Sequence, residues 1–241
     1  MTDPSLVAYA TIVVLLAYVV RGLAGFGSGL IAVPLLSIVA PLPAVVPVLA
    51  SLDYVGSAAQ SVHNVGRVAW REILTLLPFS LVGVVLGIVF LRSAPTAVLS
   101  RSLGAFVVVY AIYRLLPTPP FPNSRLAAIV CGLFGGLVGT LFGTGGPFYA
   151  IYFTVRGLDK TAFRATFSAN FLIDGGLRIA AYAFAGLFGW QMLQWFVVGL
   201  PVMAIGIYIG GRLHVGLTQR DFVRLVSVIL LASGITLLLR R

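Results

Sequence analysis

The sequence predicts an all-α polytopic membrane protein made of two inverted repeats, each a broken re-entrant helical hairpin plus three transmembrane helices. Three observations carry that expectation. The 241 residues are 60% hydrophobic and only 9% charged, with mean hydropathy +1.07, whereas soluble domains are about 25% charged. The uncharged runs Ile73 to Leu91, Leu126 to Val155 and Ile179 to Gly211 approach or exceed the roughly 20 residues a helix needs to cross a bilayer. The two halves of the chain also resemble each other in order.

The likeness is a series of paired positions rather than one match. Phe26-Gly27-Ser28-Gly29 answers Phe142-Gly143-Thr144-Gly145, and Asp53 answers Asp174. Gly66 and Trp70 answer Gly186 and Trp190, while Gly83, Gly87 and Arg101 answer Gly206, Gly210 and Arg224. An ordered series with slowly drifting spacing points to an internal duplication. The polar, proline-rich stretch Pro117 to Asn123 divides the chain into a first repeat (1–116), a linker (117–124) and a second repeat (125–241).

Each half reads as four apolar segments: 5–40, 43–62, 73–91 and 95–115, then 126–155, 161–185, 190–211 and 219–239. The first of each half does not fit a plain span. From Arg125 to Arg156 there are 30 uncharged residues, too many for one crossing and too few for two with a turn. The Gly-rich centre, from Gly135-Gly136 to Pro147, interrupts helix propensity. The arithmetic fits two half-helices meeting within the membrane, and 5–40, broken at Arg21 to Gly29, fits likewise. The second half-helices are expected at Leu30 to Ala40 and Phe148 to Val155. Met1 to Leu6 carries Asp3 and no basic residue, so the cleaved-signal pattern is not expected there.

Charge placement favours re-entry over eight plain crossings, since positive residues gather on the cytoplasmic side. Eight crossings divide the loop and terminal cations eight against six. If segments 1 and 5 enter and leave by one face, Arg67, Arg71, Arg114, Arg125, Arg156, Lys160, Arg164, Arg212, Arg220 and Arg224 share a side. Arg92, Arg101, Arg240 and Arg241 are left on the other, a split of ten against four. Three crossings per half invert the second repeat relative to the first and leave both termini outside, with Arg240 and Arg241 against the rule.

Irregular backbone survives at membrane depth only where protein or a water-filled cavity covers it, so the two glycine breaks mark a candidate cavity. The helix starting after each break presents free N–H groups and a positive dipole end, which suit an anion. Ser28 and Thr144 add hydroxyl donors at matching places. Gly25, Gly27 and Gly29 in the first break, and Gly143, Gly145 and Gly146 in the second, let a ligand approach the main chain. Arg21 is the candidate for charge recognition, because a charge so deep in a span is costly without a cavity or partner. Asp53 and Asp174 are intramembrane carboxylates and candidates for proton coupling. Asp174 has Arg178 one turn on, at pairing distance, whereas Asp53 has no such neighbour in sequence. Asn170 and Gln60 add polar lining nearby. Gly83 with Gly87, and Gly206 with Gly210, read as close helix packing.

Other functions find little support. The net charge of +10 comes from cations scattered between apolar runs, with no basic stripe for nucleic acid. Cys131 is the single cysteine and reads as packing. His63 and His214 lack further ligands at metal-binding spacing, and no cofactor motif is present. Gly25 to Leu30 lacks the last glycine of a dinucleotide fingerprint and follows no strand. Trp70, Trp190 and Trp195 read as interfacial anchors among membrane lipids. No catalytic set is visible, so the protein is not expected to be an enzyme.

Gly25-Phe26-Gly27-Ser28-Gly29 followed by Pro34-Leu35-Leu36, then Gly139 to Pro147 (GTLFGTGGP), then Phe163-Arg164-Ala165-Thr166 resemble the sulfite exporter TauE/SafE family, also called TSUP transporters, across both halves. Where many relatives carry a triple glycine, this chain has Gly27-Ser28-Gly29. The resemblance implies a bacterial inner-membrane secondary transporter of small sulfur-containing or organic anions, of the sulfite, thiosulfate or sulfonate type. A passive anion channel and a non-transporting membrane partner subunit are the alternatives. The sequence does not read out an oligomeric state.

Overall fold

The structure, a computed structural model, describes residues 3–24, 27–61, 65–115, 125–213 and 219–239. Gly25, His63, His214 and the linker 117–124 lie outside them, as does the side chain of Gln60. Among the described residues there are ten α-helices and no strand. The first half holds α1 (Pro4–Ala24), α2 (Ser28–Leu36), α3 (Leu42–Ser61), α4 (Trp70–Ser93) and α5 (Thr96–Leu115). The second holds α6 (Arg125–Phe142), α7 (Gly146–Val155), α8 (Lys160–Phe184), α9 (Trp190–Arg212) and α10 (Gln219–Leu239).

Burial is arranged as a lipid solvent demands. Leu74, Val109 and Val228 point outward at more than 60% exposure, while Arg21, Asp53, Asp174 and Arg178 are buried. The helices α1, α4, α5 and α9 are each long and apolar enough to cross a membrane. The longest, α8, has 25 residues and carries Asp174 and Arg178 inside. Its start is fixed by Asp159, whose carboxylate accepts from the main-chain N–H groups of Thr161 and Ala162 at 2.8 and 3.0 Å. Those hydrogen bonds, foremost the one from Ala162, hold the Asp159 carboxyl below the usual carboxylate range and occupy donors the helix cannot use itself.

The expected breaks are present, but the arms are unequal. α1 has 21 residues and α2 nine; α6 has 18 and α7 ten. The first break is shorter than the expected Arg21 to Gly29, because α1 runs on through Ala24. The second starts after Phe142, so Gly135 and Gly136 belong to α6. The second arms begin earlier than expected, at Ser28 and Gly146, and residues 37–40 form a turn. Gly27, at φ 101°, and Gly143, at φ 67°, take left-handed backbone that side chains disfavour, which lets the chain reverse there.

Each hairpin folds back on itself. Tyr9 OH donates to Leu35 O at 3.0 Å, tying the start of α1 to the end of α2. Ala127 and Ala128 at the start of α6 pack with Tyr152 and Phe153 at the end of α7. The turns themselves meet, since a Cβ on Gly29 would strike the Gly143 carbonyl.

Helices associate in lipid by close packing rather than by the hydrophobic effect, and glycines set the distances. Gly83 sits on the α6 backbone at Leu133, and Gly136 on α4 at Ser80; Gly206 and Gly210 sit on α1 at Leu15 and Val19. So α4 packs on α6 and α9 on α1. These are equivalent pairs if α1–α5 is matched to α6–α10. The pairs α3 with α8 and α5 with α10 also touch, and each maps onto itself under that matching.

Candidate functional site

Tyr18 and Arg21 lie three residues apart on one face of α1, and Asp53 and Ser57 four apart on one face of α3, spacings that put each pair side by side. At the start of α2, Ser28 faces both helices. Arg21 Nη1 pairs with Asp53 Oδ1 and donates to Ser28 Oγ at 3.3 Å. Its Nη2 donates to Ser57 Oγ at 2.7 Å and to the Asp53 carbonyl at 3.1 Å. Asp53 Oδ1 also accepts from Tyr18 OH and from Ser28 Oγ, both at 2.7 Å. Arg21 is 3% exposed and Asp53 8%. Asp53, which has no pairing cation nearby in sequence, therefore finds one in the fold. Its partner lies 32 residues earlier, on a different helix.

Beside this pair, where the hairpin turns meet, lies a cavity of about 30 Å³ lined by Arg21, Gly27, Ser28, Gly29 and Asp53 from the first half. Gly143, Thr144, Gly146 and, from α8, Ser168 complete its polar wall. That is room for about two water molecules. Thr144 Oγ1 and Arg21 Nε are buried without a hydrogen-bond partner. Neither α2 nor α7 has a side-chain cap on its first turn; Pro147 has no N–H and Phe148 N donates to Gly145 O at 3.2 Å, so the donors left free are chiefly those of α2. The cavity thus offers hydroxyls, main-chain N–H groups and one guanidinium whose charge Asp53 neutralises.

Of the residues singled out from sequence, Gly145 packs against Gly135 instead. Asp174 is also elsewhere, in a separate buried network. Its Oδ2 lies 3.0 Å from Arg178 Nε, the pairing that the sequence suggested. Its Oδ1 accepts from Ser80 Oγ at 2.6 Å and Tyr149 OH at 2.7 Å. Arg178 Nη1 then donates to Gly139 O at 2.9 Å, and Tyr182 OH to Thr140 O at 2.8 Å. This set ties α8 to α4, α6 and α7. The two carboxylates occupy matching places, but the guanidinium comes from α1 in one half and from α8 itself in the other.

At one end of the second hairpin, Glu72 receives Arg156 Nε and Nη2 at 2.8 and 3.0 Å and Tyr152 OH at 2.7 Å. This fastens the end of α7 to the start of α4. Sequence reasoning missed Tyr18, Ser57 and Ser168. A helical-wheel step of three or four from Arg21 and Asp53 would have found the first two.

Comparison with known proteins places most of the chain in one family. The family model "Sulfite exporter TauE/SafE" matches residues 10–237. The chain is similar to the "Probable sulfite/organosulfonate exporter TauE" of Cupriavidus necator, 24% identical over 223 residues, covering 89% of this chain and 87% of the relative. It is similar also to the "Probable inner membrane transporter protein TsaS" of Comamonas testosteroni, 26% identical over 190 residues, covering 77% and 79% of the two chains. No solved structure matches.

Proposed function

Because the chain belongs to the sulfite exporter TauE/SafE family, a family of membrane transporters rather than enzymes, we propose that it carries a small sulfur-containing or organic anion across the bacterial inner membrane. Sulfite, thiosulfate and sulfonates are the substrate type, and protons are the coupling ion. The observation that carries this reading is the convergence of Arg21, Ser28 and Asp53 on the cavity where the two chain breaks touch.

The arrangement supports a transport cycle. In the empty site Asp53 cancels the charge of Arg21, and an incoming anion competes with it for the guanidinium. A proton on Asp53 removes that competition, so anion and proton enter together. The anion then accepts from Arg21, Ser28, Thr144 and the first N–H groups of α2, charge-assisted bonds being the strongest among them. A cavity of about 30 Å³ has no room for continuous passage, which favours alternating rearrangement over a passive channel. The near two-fold matching of helix pairs supports inverted repeats moving about the turns. Asp174 is read as a brace, with the proton role given to Asp53. Titrating methanesulfonate into the purified protein tests the reading: binding that Arg21→Ala abolishes supports it, and undiminished binding in that variant overturns it.

A further inference from the structure

The cavity at Arg21 has one apolar side. Phe167 and Phe171 of α8 line it beside Gly146 and Pro147, the first residues of α7, and a Cβ on Gly146 would stand 3.1 Å from the Phe171 ring. From there a continuous run of rings leads away from the site. Phe163, Phe167 and Phe171 follow one another by four along α8, on one face of the helix, with ring centroids 5.6 and 4.8 Å apart. Phe153 on α7 meets Phe163 and Phe167 edge-on at 6.4 and 6.5 Å, and Tyr152 meets Phe153 at 5.7 Å. The run ends at Glu72, which accepts from Tyr152 OH and pairs with Arg156. Tyr152, Phe153 and Phe167 are buried, whereas the Arg156 side chain is 36% exposed. The rings therefore fill the way between the cavity and the membrane face at which α7 ends.

The fold does not require this filling. Matched through Asp53 and Asp174, the three phenylalanines of α8 stand where α3 has Leu42, Val46 and Ala50. Matched through the glycine breaks, and through Trp70 and Trp190, the residues Tyr152, Arg156 and Glu72 stand where the first half has Leu36, Ala40 and Met192. Those last three line a hollow of about 570 Å³ between α1, α2, α3 and α9. One half carries aliphatic residues and an open space, the other rings and an ion pair.

An anion that met stacked rings would lose its water and gain no partner, and apolar constrictions of this kind close pores. An ion pair as exposed as that of Arg156 adds little to stability, so it can break and re-form within a transport cycle. The arm that carries Arg156 also has a pivot at each end. Gly143 before α7 and Gly157 after it take φ 67° and 68°, and such element-terminal residues absorb the backbone change when a short segment turns as a unit. Among the described residues, α2 has one glycine of this kind, Gly27 at its start. We propose that α7 is a gate. With the rings of α8 it closes the Arg21 cavity toward the face bearing Arg67, Arg71 and Arg156, which the positive-inside rule gives to the cytoplasm; Glu72 latches it, and it opens by turning away from α4 and α8 about its two glycines. This rests on the anion-transport reading of the Arg21 cavity and names the part that controls one of its exits.

Reactivity of a cysteine in the cavity tests the proposal. In a Cys131→Ala background, Ser168→Cys places the only thiol of the chain on the cavity wall, and the rate of its reaction with a membrane-impermeant methanethiosulfonate is measured in vesicles of each orientation. Glu72→Ala, which removes both the ion pair and the acceptor for Tyr152, is expected to raise the rate at least threefold from the face that bears Arg156, and Phe167→Ala at least tenfold. From the opposite face neither should change it. Arg156→Gln and Phe167→Leu give the same comparison if the first two variants fail to fold. A rate that neither substitution raises, or that rises equally from both faces, overturns the proposal. Labelling needs no substrate, so that outcome is distinct from a failure of the wild type to bind methanesulfonate, which overturns the anion-transport reading and with it the gate's part in transport.

Discussion

Replacing Asp53 by Asn is expected to weaken the empty protein and tighten anion binding, two effects of opposite sign from one atom change. Asn keeps an acceptor at Oδ1, so the hydrogen bonds from Tyr18 and Ser28 survive. It removes the only side-chain carboxylate among the described residues that pairs with Arg21. With Arg21 3% exposed, an uncompensated buried charge costs about 3–5 kcal/mol. At about 2–4 °C per kcal/mol for a chain of this size, the empty variant should melt roughly 10 °C lower. An anion in the cavity supplies the missing charge. If it restores only a third of a cost of about 4 kcal/mol, affinity rises about tenfold. Methanesulfonate is the suitable ligand, because its own charge is fixed. Its affinity should be higher in Asp53→Asn than in the wild type. Thermal-shift titrations measure both quantities. An Asp53→Asn variant that binds more weakly than wild type would refute competition between Asp53 and the anion.

Arg21→Lys should bind methanesulfonate at least tenfold more weakly by calorimetry, because a lysine cannot span Ser28, Asp53 and Ser57 as the planar fork does. Asp174→Asn should lower stability by about 3–5 kcal/mol by leaving Arg178 buried and unpaired, and added anion should not restore its melting temperature as it does for Asp53→Asn. Gly29→Ala, whose methyl group would press on the Gly143 carbonyl, should cut transport in vesicles at least tenfold by separating the two turns. Single cysteines replacing Gly157 and Gly189, in a Cys131→Ala background, should react with an impermeant thiol reagent from opposite faces of the membrane, as the charge split requires.

The hairpins were legible because glycine and proline interrupt apolar runs of a length that no whole number of spans explains. The boundaries were not. Two left-handed glycines reverse the chain within three residues, and helix propensity alone does not say how far α1 continues beyond Arg21. The lengths of the long arms follow from contacts with α9 and α4, where Gly206, Gly210 and Gly83 admit a neighbouring backbone. Arg178 beside Asp174 could be read because both lie on α8 four residues apart. Arg21 with Asp53 could not, since their meeting depends on how α1 packs against α3. Tyr18 and Ser57 resemble ordinary members of an apolar helix until their wheel positions are set beside those two charges.

The most direct test of the central claim is saturable uptake of radiolabelled methanesulfonate into proteoliposomes under an imposed pH gradient. The account predicts uptake that is driven by the gradient in the wild type, loses its gradient dependence in Asp53→Asn and disappears in Arg21→Ala. Uptake that does not saturate, or that persists unchanged in Arg21→Ala, would contradict it.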